Sequence, residues 1–123
     1  MDGLFQVITF DYEPDAGILN SGIKLNKEHP VFVGHFPGNP ILPGVCTVQI
    51  ARELLSKALD ADFRLSKAGN IKYLGFVNPV SNPDMQFQMT FKRASEPVVI
   101  MCNVIVKSGD HTVCSFKGEY VQI

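Results

Sequence analysis

Residues Gly34 to Leu55, GHFPGNPILPGVCTVQIARELL, change character halfway along. The first half holds Pro37, Pro40 and Pro43 among Gly34, Gly38 and Gly44. Each proline fixes its own φ and turns the preceding residue away from helical geometry, so His35 to Gly44 reads as a stiff, extended segment. Immediately afterwards Val45, Val48, Ala51, Leu54, Leu55 and Ala58 recur at spacings of three and four. That period predicts a helix over about Val45 to Leu59 with one buried face. No other segment carries a long helical period, so a single helix has to be covered by strands.

Strand signals lie on both sides of it. Leu4 to Tyr12 and Ile18 to Lys27 are rich in β-branched and aromatic residues. Asn70 to Val77, Met85 to Arg93, Val98 to Lys107 and His111 to Gln122 read the same way, with NPVSNPD, ASEP and SGD as connections. In MQFQMTF, Met85, Phe87, Met89 and Phe91 alternate with Gln86, Gln88 and Thr90, the pattern of a sheet wet on one face only. The expected fold is α+β: an antiparallel sheet of about six strands wrapped around one central helix. Residues 1–123 are expected to form one domain, since a chain of 123 residues with 46% hydrophobic content can bury a core of its own.

Charge and cysteine usage narrow the function. Eleven Lys and Arg against twelve Asp and Glu leave a formal charge of −1 without a basic block, which argues against nucleic acid as partner. Cys46, Cys102 and Cys114 show no paired spacing and sit among apolar neighbours, as buried free thiols would. Neither a leader pattern nor an apolar run of membrane-spanning length is present, so a soluble, cytoplasmic protein is expected. Three histidines and three cysteines without a closely spaced pair predict no metal site.

The stiff segment has a chemical use. An imidazole titrates near neutrality, and the N–H groups at a helix start attract an oxygen that carries partial negative charge. His35, held beside a helix that starts near Gly44, is therefore a candidate acid/base next to a polarised carbonyl. The absent Cβ of Gly44 lets such an oxygen approach closely. A tight turn with a hydrogen-bonded histidine explains the same residues without any chemistry.

The segment GHFPGNPILPGV resembles the signature of the hotdog-fold 3-hydroxyacyl-acyl-carrier-protein dehydratases. KEHPVFVGHFPG, NIKYLGFVNPVSNPDMQF and VKSGDHTVCSFKGEYV are similar to that family's flanking strands. The resemblance implies a hotdog fold and dehydration of a 3-hydroxyacyl chain borne on acyl carrier protein, in fatty acid or related specialised lipid synthesis, without a cofactor. It also implies a homodimer, or a dimer-based oligomer, in which each site takes His35 from one subunit and the helix from the other. His35 corresponds to the family's catalytic histidine, and Gly44 to the glycine whose N–H polarises the thioester carbonyl. Phe36, Pro43, Val45, Val48 and Phe76 are candidate acyl contacts, with Ile41, Leu42 and Val77 beside them.

One position departs from the family. Its catalytic carboxylate lies fourteen residues after the histidine, where this chain has Gln49, and Glu53 stands where the family usually has glutamine. A glutamine hydrogen-bonds and orients but donates no proton at neutral pH. Glu53, one turn on, is a possible compensating acid, although a turn's rise of about 6 Å is long against a proton-transfer distance near 3 Å. The alternatives are a non-catalytic acyl-chain or acyl-carrier binding chain, or one half of a heteromeric dehydratase whose partner supplies the carboxylate. A thioesterase on the same fold is the weaker alternative.

Overall fold

The computed structural model describes residues 2–33, 40–94 and 99–123. Six strands, β1 (Phe5–Glu13), β2 (Ile18–Leu25), β3 (Phe63–Tyr73), β4 (Asp84–Ala94), β5 (Val99–Ser108) and β6 (His111–Gln122), form one sheet in the order β1-β2-β4-β5-β6-β3. Every neighbouring pair is antiparallel. The helix α1 (Gly44–Leu59) lies between β2 and β3 in the chain and carries it from near one edge of the sheet to the other. This is the α+β hotdog arrangement expected from the sequence.

Alternation decides which side of the sheet is dry. Met85, Phe87 and Met89 of β4, Ile100, Cys102, Val104 and Val106 of β5, and Phe116 and Tyr120 of β6 are buried. They meet Ile50, Ala51, Leu54 and Leu55 of α1 in one core. The helical stripe is rotated from the sequence reading: the buried positions also include Cys46 and Thr47, whereas Val45 is 73% exposed and Val48 half-buried. At its far end α1 stops on Asp60, whose left-handed backbone (φ 51°) lets Asp60 N–H and Ala61 N–H return to the carbonyls of Lys57 and Ser56.

The largest departure from the sequence reading is β3. It runs from Phe63 to Tyr73, starting seven residues before the expected Asn70 and ending before Phe76 and Val77. As an edge strand it is exposed along nearly its whole length, so Arg64 to Asn70 show no apolar alternation. Its pairing to β6 slips between Leu65 and Lys67 and between Gly69 and Lys72, and Asn70 adopts φ 54°. The expected strand Ile18 to Lys27 ends at Leu25, where Asn26 caps the following turn by accepting from Glu28 N–H.

Tyr120 packs its ring over Gly118, where an added Cβ would come 2.8 Å from the ring. Its buried hydroxyl has no hydrogen-bond partner among the described residues, and burial raises the phenol above its ordinary value, with Cys102 adding to the rise and Arg52 opposing it. An unpaired buried hydroxyl costs on the order of 1–3 kcal/mol. Tyr120→Phe is therefore expected to stabilise the protein by about 1 kcal/mol, seen as a higher denaturant midpoint at unchanged slope. A loss of stability would mean that the hydroxyl is solvated by an internal water.

Candidate acyl-binding groove and helix N-terminus

Pro43 precedes the first residue of α1 with an extended backbone (φ −61°, ψ 141°). Among the described residues no side chain caps this helix start, and no acidic residue stands in its first turn. The first N–H groups of a helix have no acceptor within it, so the positive end of α1 is left to whatever enters in front of it. What lies there is a groove of about 600 Å³ whose walls include Leu42, Pro43, Val45, Tyr73, Phe76 and Val113. Backbone bonds hold the walls together: Leu42 N–H donates to Val77 O at 2.9 Å, and Leu74 N–H to Val113 O at 2.8 Å. A larger hollow of about 790 Å³ spans the strands beside Lys67, Lys92 and Lys117. The smaller groove is the better candidate site, because among the described residues its apolar walls converge on a helix start.

Gly44 is the junction of groove and helix. A Cβ on it would lie 2.5 Å from one ring carbon of Tyr73 and 2.7 Å from another, so the ring packs directly on the glycine. Tyr73 is nevertheless 54% exposed and closes the end of β3. Its phenol is raised, first by burial and then by Cys114. Cys114, at the back of the groove, has its thiol pushed up by burial to about 11 and stays protonated at neutral pH. It is a wall and not a nucleophile.

Gln49 sits one turn along α1 from Val45 and is not among the groove's walls. Its side-chain amide is held at both ends. Arg52 Nε donates to Gln49 Oε1 at 3.2 Å, and Gln49 Nε2 donates to Glu53 Oε2 at 3.4 Å. Arg52, which can only donate, is anchored by a second bond of 2.9 Å to Phe63 O at the start of β3. Glu53 thus holds Gln49 in place within the same helical turn.

Of the residues singled out in the sequence, the structure brings Gly44, Pro43, Val45 and Phe76 to the groove, with Ile41, Leu42 and Val77. Val48 does not line it and packs against the core. His35 and Phe36 lie outside the described residues. Sequence reasoning missed Tyr73, Val113 and Cys114 as walls, and Arg52 as the clamp on Gln49. Tyr73 had a signal, since it falls within the NIKYLGF segment.

One α-helix held by a six-stranded antiparallel sheet among the described residues, with a groove at the helix start, defines a hotdog-fold protein. Residues 13–115 match the ApeI-like family (ApeI dehydratase), and the chain belongs to that family. It is 36% identical over 130 residues to the 3-hydroxyacyl-[acyl-carrier-protein] dehydratase FabZ of Pediococcus pentosaceus, covering 96% of this chain and 81% of that protein. It is 42% identical over 57 residues to FabZ of Caulobacter vibrioides, a match that spans 42% of this chain and only 35% of the relative's length. Among solved structures it is similar to the dehydratase heterocomplex ApeI:P from Xenorhabdus doucetiae, with a TM-score of 0.67 at 17% identity over 94% of this chain and 96% of the other.

Proposed function

We propose that the chain dehydrates a 3-hydroxyacyl thioester on acyl carrier protein to the trans-2-enoyl thioester, in fatty acid or related specialised lipid synthesis. The observation that carries this reading is the apolar groove ending at a helix start whose first residue is Gly44 and which no described side chain caps. The acyl chain lies along the groove, and the thioester oxygen meets Gly44 N–H as negative charge develops on it. His35 takes the α-proton. The bond from the β-carbon to its hydroxyl breaks, the double bond forms, and the hydroxyl leaves as water with the proton that His35 took from the α-carbon and passes to it. In a site assembled from two chains, His35 comes from one and the helix with Gly44 from the other.

A second reading is favoured by Gln49, which offers no acid and whose amide is held by Arg52 and Glu53. In it the chain is one subunit of a heteromeric dehydratase, donating His35 to a site whose carboxylate belongs to its partner. Incubating the purified chain with 3-hydroxyacyl-carrier thioesters of several lengths, and following enoyl product, separates the two. Product that disappears in His35→Ala is expected for a self-sufficient enzyme. No product from the chain alone at any length, with product on adding a partner that carries the acid, selects the second reading.

A further inference from the structure

The turn that leads toward His35 is built around His29. Val31 N–H donates to His29 Nδ1 at 3.0 Å, and His29 Nε2 lies 3.1 Å from Asp2 O. A backbone N–H can only donate, so Nδ1 carries no proton. The ring is therefore neutral, with its hydrogen on Nε2 and donated to Asp2 O. Asn26 makes the companion contacts: its Nδ2 donates to Gly3 O at 2.9 Å and its backbone N–H to Leu4 O at 2.8 Å. The consecutive carbonyls of Asp2, Gly3 and Leu4, on the approach to β1, thus hold the segment between β2 and α1.

His29 also caps the short 3-10 turn Pro30–Phe32, which carries a proline at its first position. Its backbone carbonyl accepts from Phe32 N–H, and Pro30 O accepts from Val33 N–H, both at 3.1 Å. Phe32 is buried in the core, and Val33 leaves the turn with φ −70° and ψ −41°. His35 follows Val33 by two residues. Ser, Thr or Asn would accept the same cap bond without titrating, so a histidine adds a condition that the turn itself does not need. Protonation of Nδ1 puts a hydrogen where Val31 N–H already points, and the cap bond exists only while the ring is neutral. Asp2, Lys27 and Glu28 are the charged side chains of residues 2–4 and 26–33, which surround the ring. The ring's two bonds among the described residues go to backbone atoms.

We propose that His29 is a positioning residue for His35: its neutral ring pins the turn from which the segment carrying His35 departs, and its protonation releases that turn. The inference rests on the reading of His35 as the base given above. His29 itself touches no substrate and acts through the direction it gives the chain at Val33. A misplacement of about 1 Å at a reacting group costs on the order of 100-fold in rate. Loss of one cap, by contrast, removes only a small part of a domain's stability.

Two substitutions separate the ring's two contacts. His29→Asn keeps an acceptor near the place of Nδ1 and cannot titrate, whereas His29→Gln keeps a donor for Asp2 O but leaves Val31 N–H without its cap. At neutral pH, kcat/KM for a 3-hydroxyacyl thioester is expected to fall about 100-fold in His29→Gln and to stay within about threefold of the wild type in His29→Asn. Toward acid, log kcat/KM of the wild type should fall with a slope approaching about 2, because His29 and His35 each take up a proton, and that of His29→Asn with a slope of about 1. NMR reads the same effect without turnover. The ring resonances of His35 should move in His29→Gln and stay in His29→Asn. In the wild type, protection of the Val31 and Val33 amides from exchange should fall as His29 is protonated, a measurement that needs no variant to fold. His35 resonances that ignore His29→Gln, amide protection that ignores the protonation of His29, or identical acid limbs in the wild type and His29→Asn overturn the proposal. Shifted His35 resonances in a chain that makes no enoyl product at any length leave His29 in its positioning role and remove the reading of a self-sufficient enzyme.

Discussion

Gly44→Ala is expected to lower kcat/KM for a 3-hydroxyacyl thioester by about 100- to 1,000-fold while leaving the fold intact. Two effects of the added methyl pull apart. Toward stability, alanine is the better helix former by up to about 1 kcal/mol, less at the first helical position than in the interior. The ring it would strike, that of Tyr73, hangs from the last residue of an edge strand with half its surface in solvent, so it can swing outward. The net change in stability is expected to stay within about 1 kcal/mol. Toward function, the methyl occupies the approach of a carbonyl oxygen to the helix start, and no rotation removes it. Tyr73→Ala added to Gly44→Ala makes the distinction sharper. Denaturation should show any strain relieved, while the activity stays low. Activity that returns with the ring removed would mean that the ring position, and not access to Gly44 N–H, limits the reaction.

The same pair shows where the sequence was legible. The helix and the four strands from β4 to β6 and at β2 carry clear periods, because one face of each is pressed into the core and the other is wet. Gly44 could be located because proline stiffness ends and helical spacing begins at that point. Its neighbour Tyr73 could not be placed against it, because the contact joins residues far apart in the chain and depends on where β3 ends. β3 itself was half invisible: an edge strand with both faces open to water needs no alternation, and two register slips with a left-handed Asn70 blur what remains. Val45 falls on the apolar spacing and is also a candidate acyl contact; at the first turn of the helix that spacing points into the groove, so it lines the groove and leaves the core. The role of Arg52 was hidden for another reason. Its anchor is a backbone carbonyl, Phe63 O, and no residue type in the sequence announces such an acceptor.

Exchanging the two polar residues of α1, Gln49→Glu together with Glu53→Gln, is expected to raise turnover about 100-fold or more on dimeric protein, because it supplies a positioned acid where there is none. The single Gln49→Glu change is expected to gain far less. A carboxylate at 49 would sit beside Arg52, which is fixed by Phe63 O and favours the ionised form, and it would face the carboxylate of Glu53 one turn away. The exchange removes that repulsion, since a glutamine at 53 can donate to the new carboxylate. Arg52 still holds the acid toward its charged form, so the gain should appear mainly at acidic pH and fade as the pH rises through the carboxyl pKa. The wild type lacks that limb. Rates are compared at protein and salt concentrations where sedimentation shows the dimer, so that assembly does not masquerade as chemistry. If the exchange leaves turnover unchanged across the pH range, His35 carries both proton transfers and Gln49 is sufficient as an orienting group. If turnover rises with the acidic limb present, this chain is a dehydratase half that has given up its own acid.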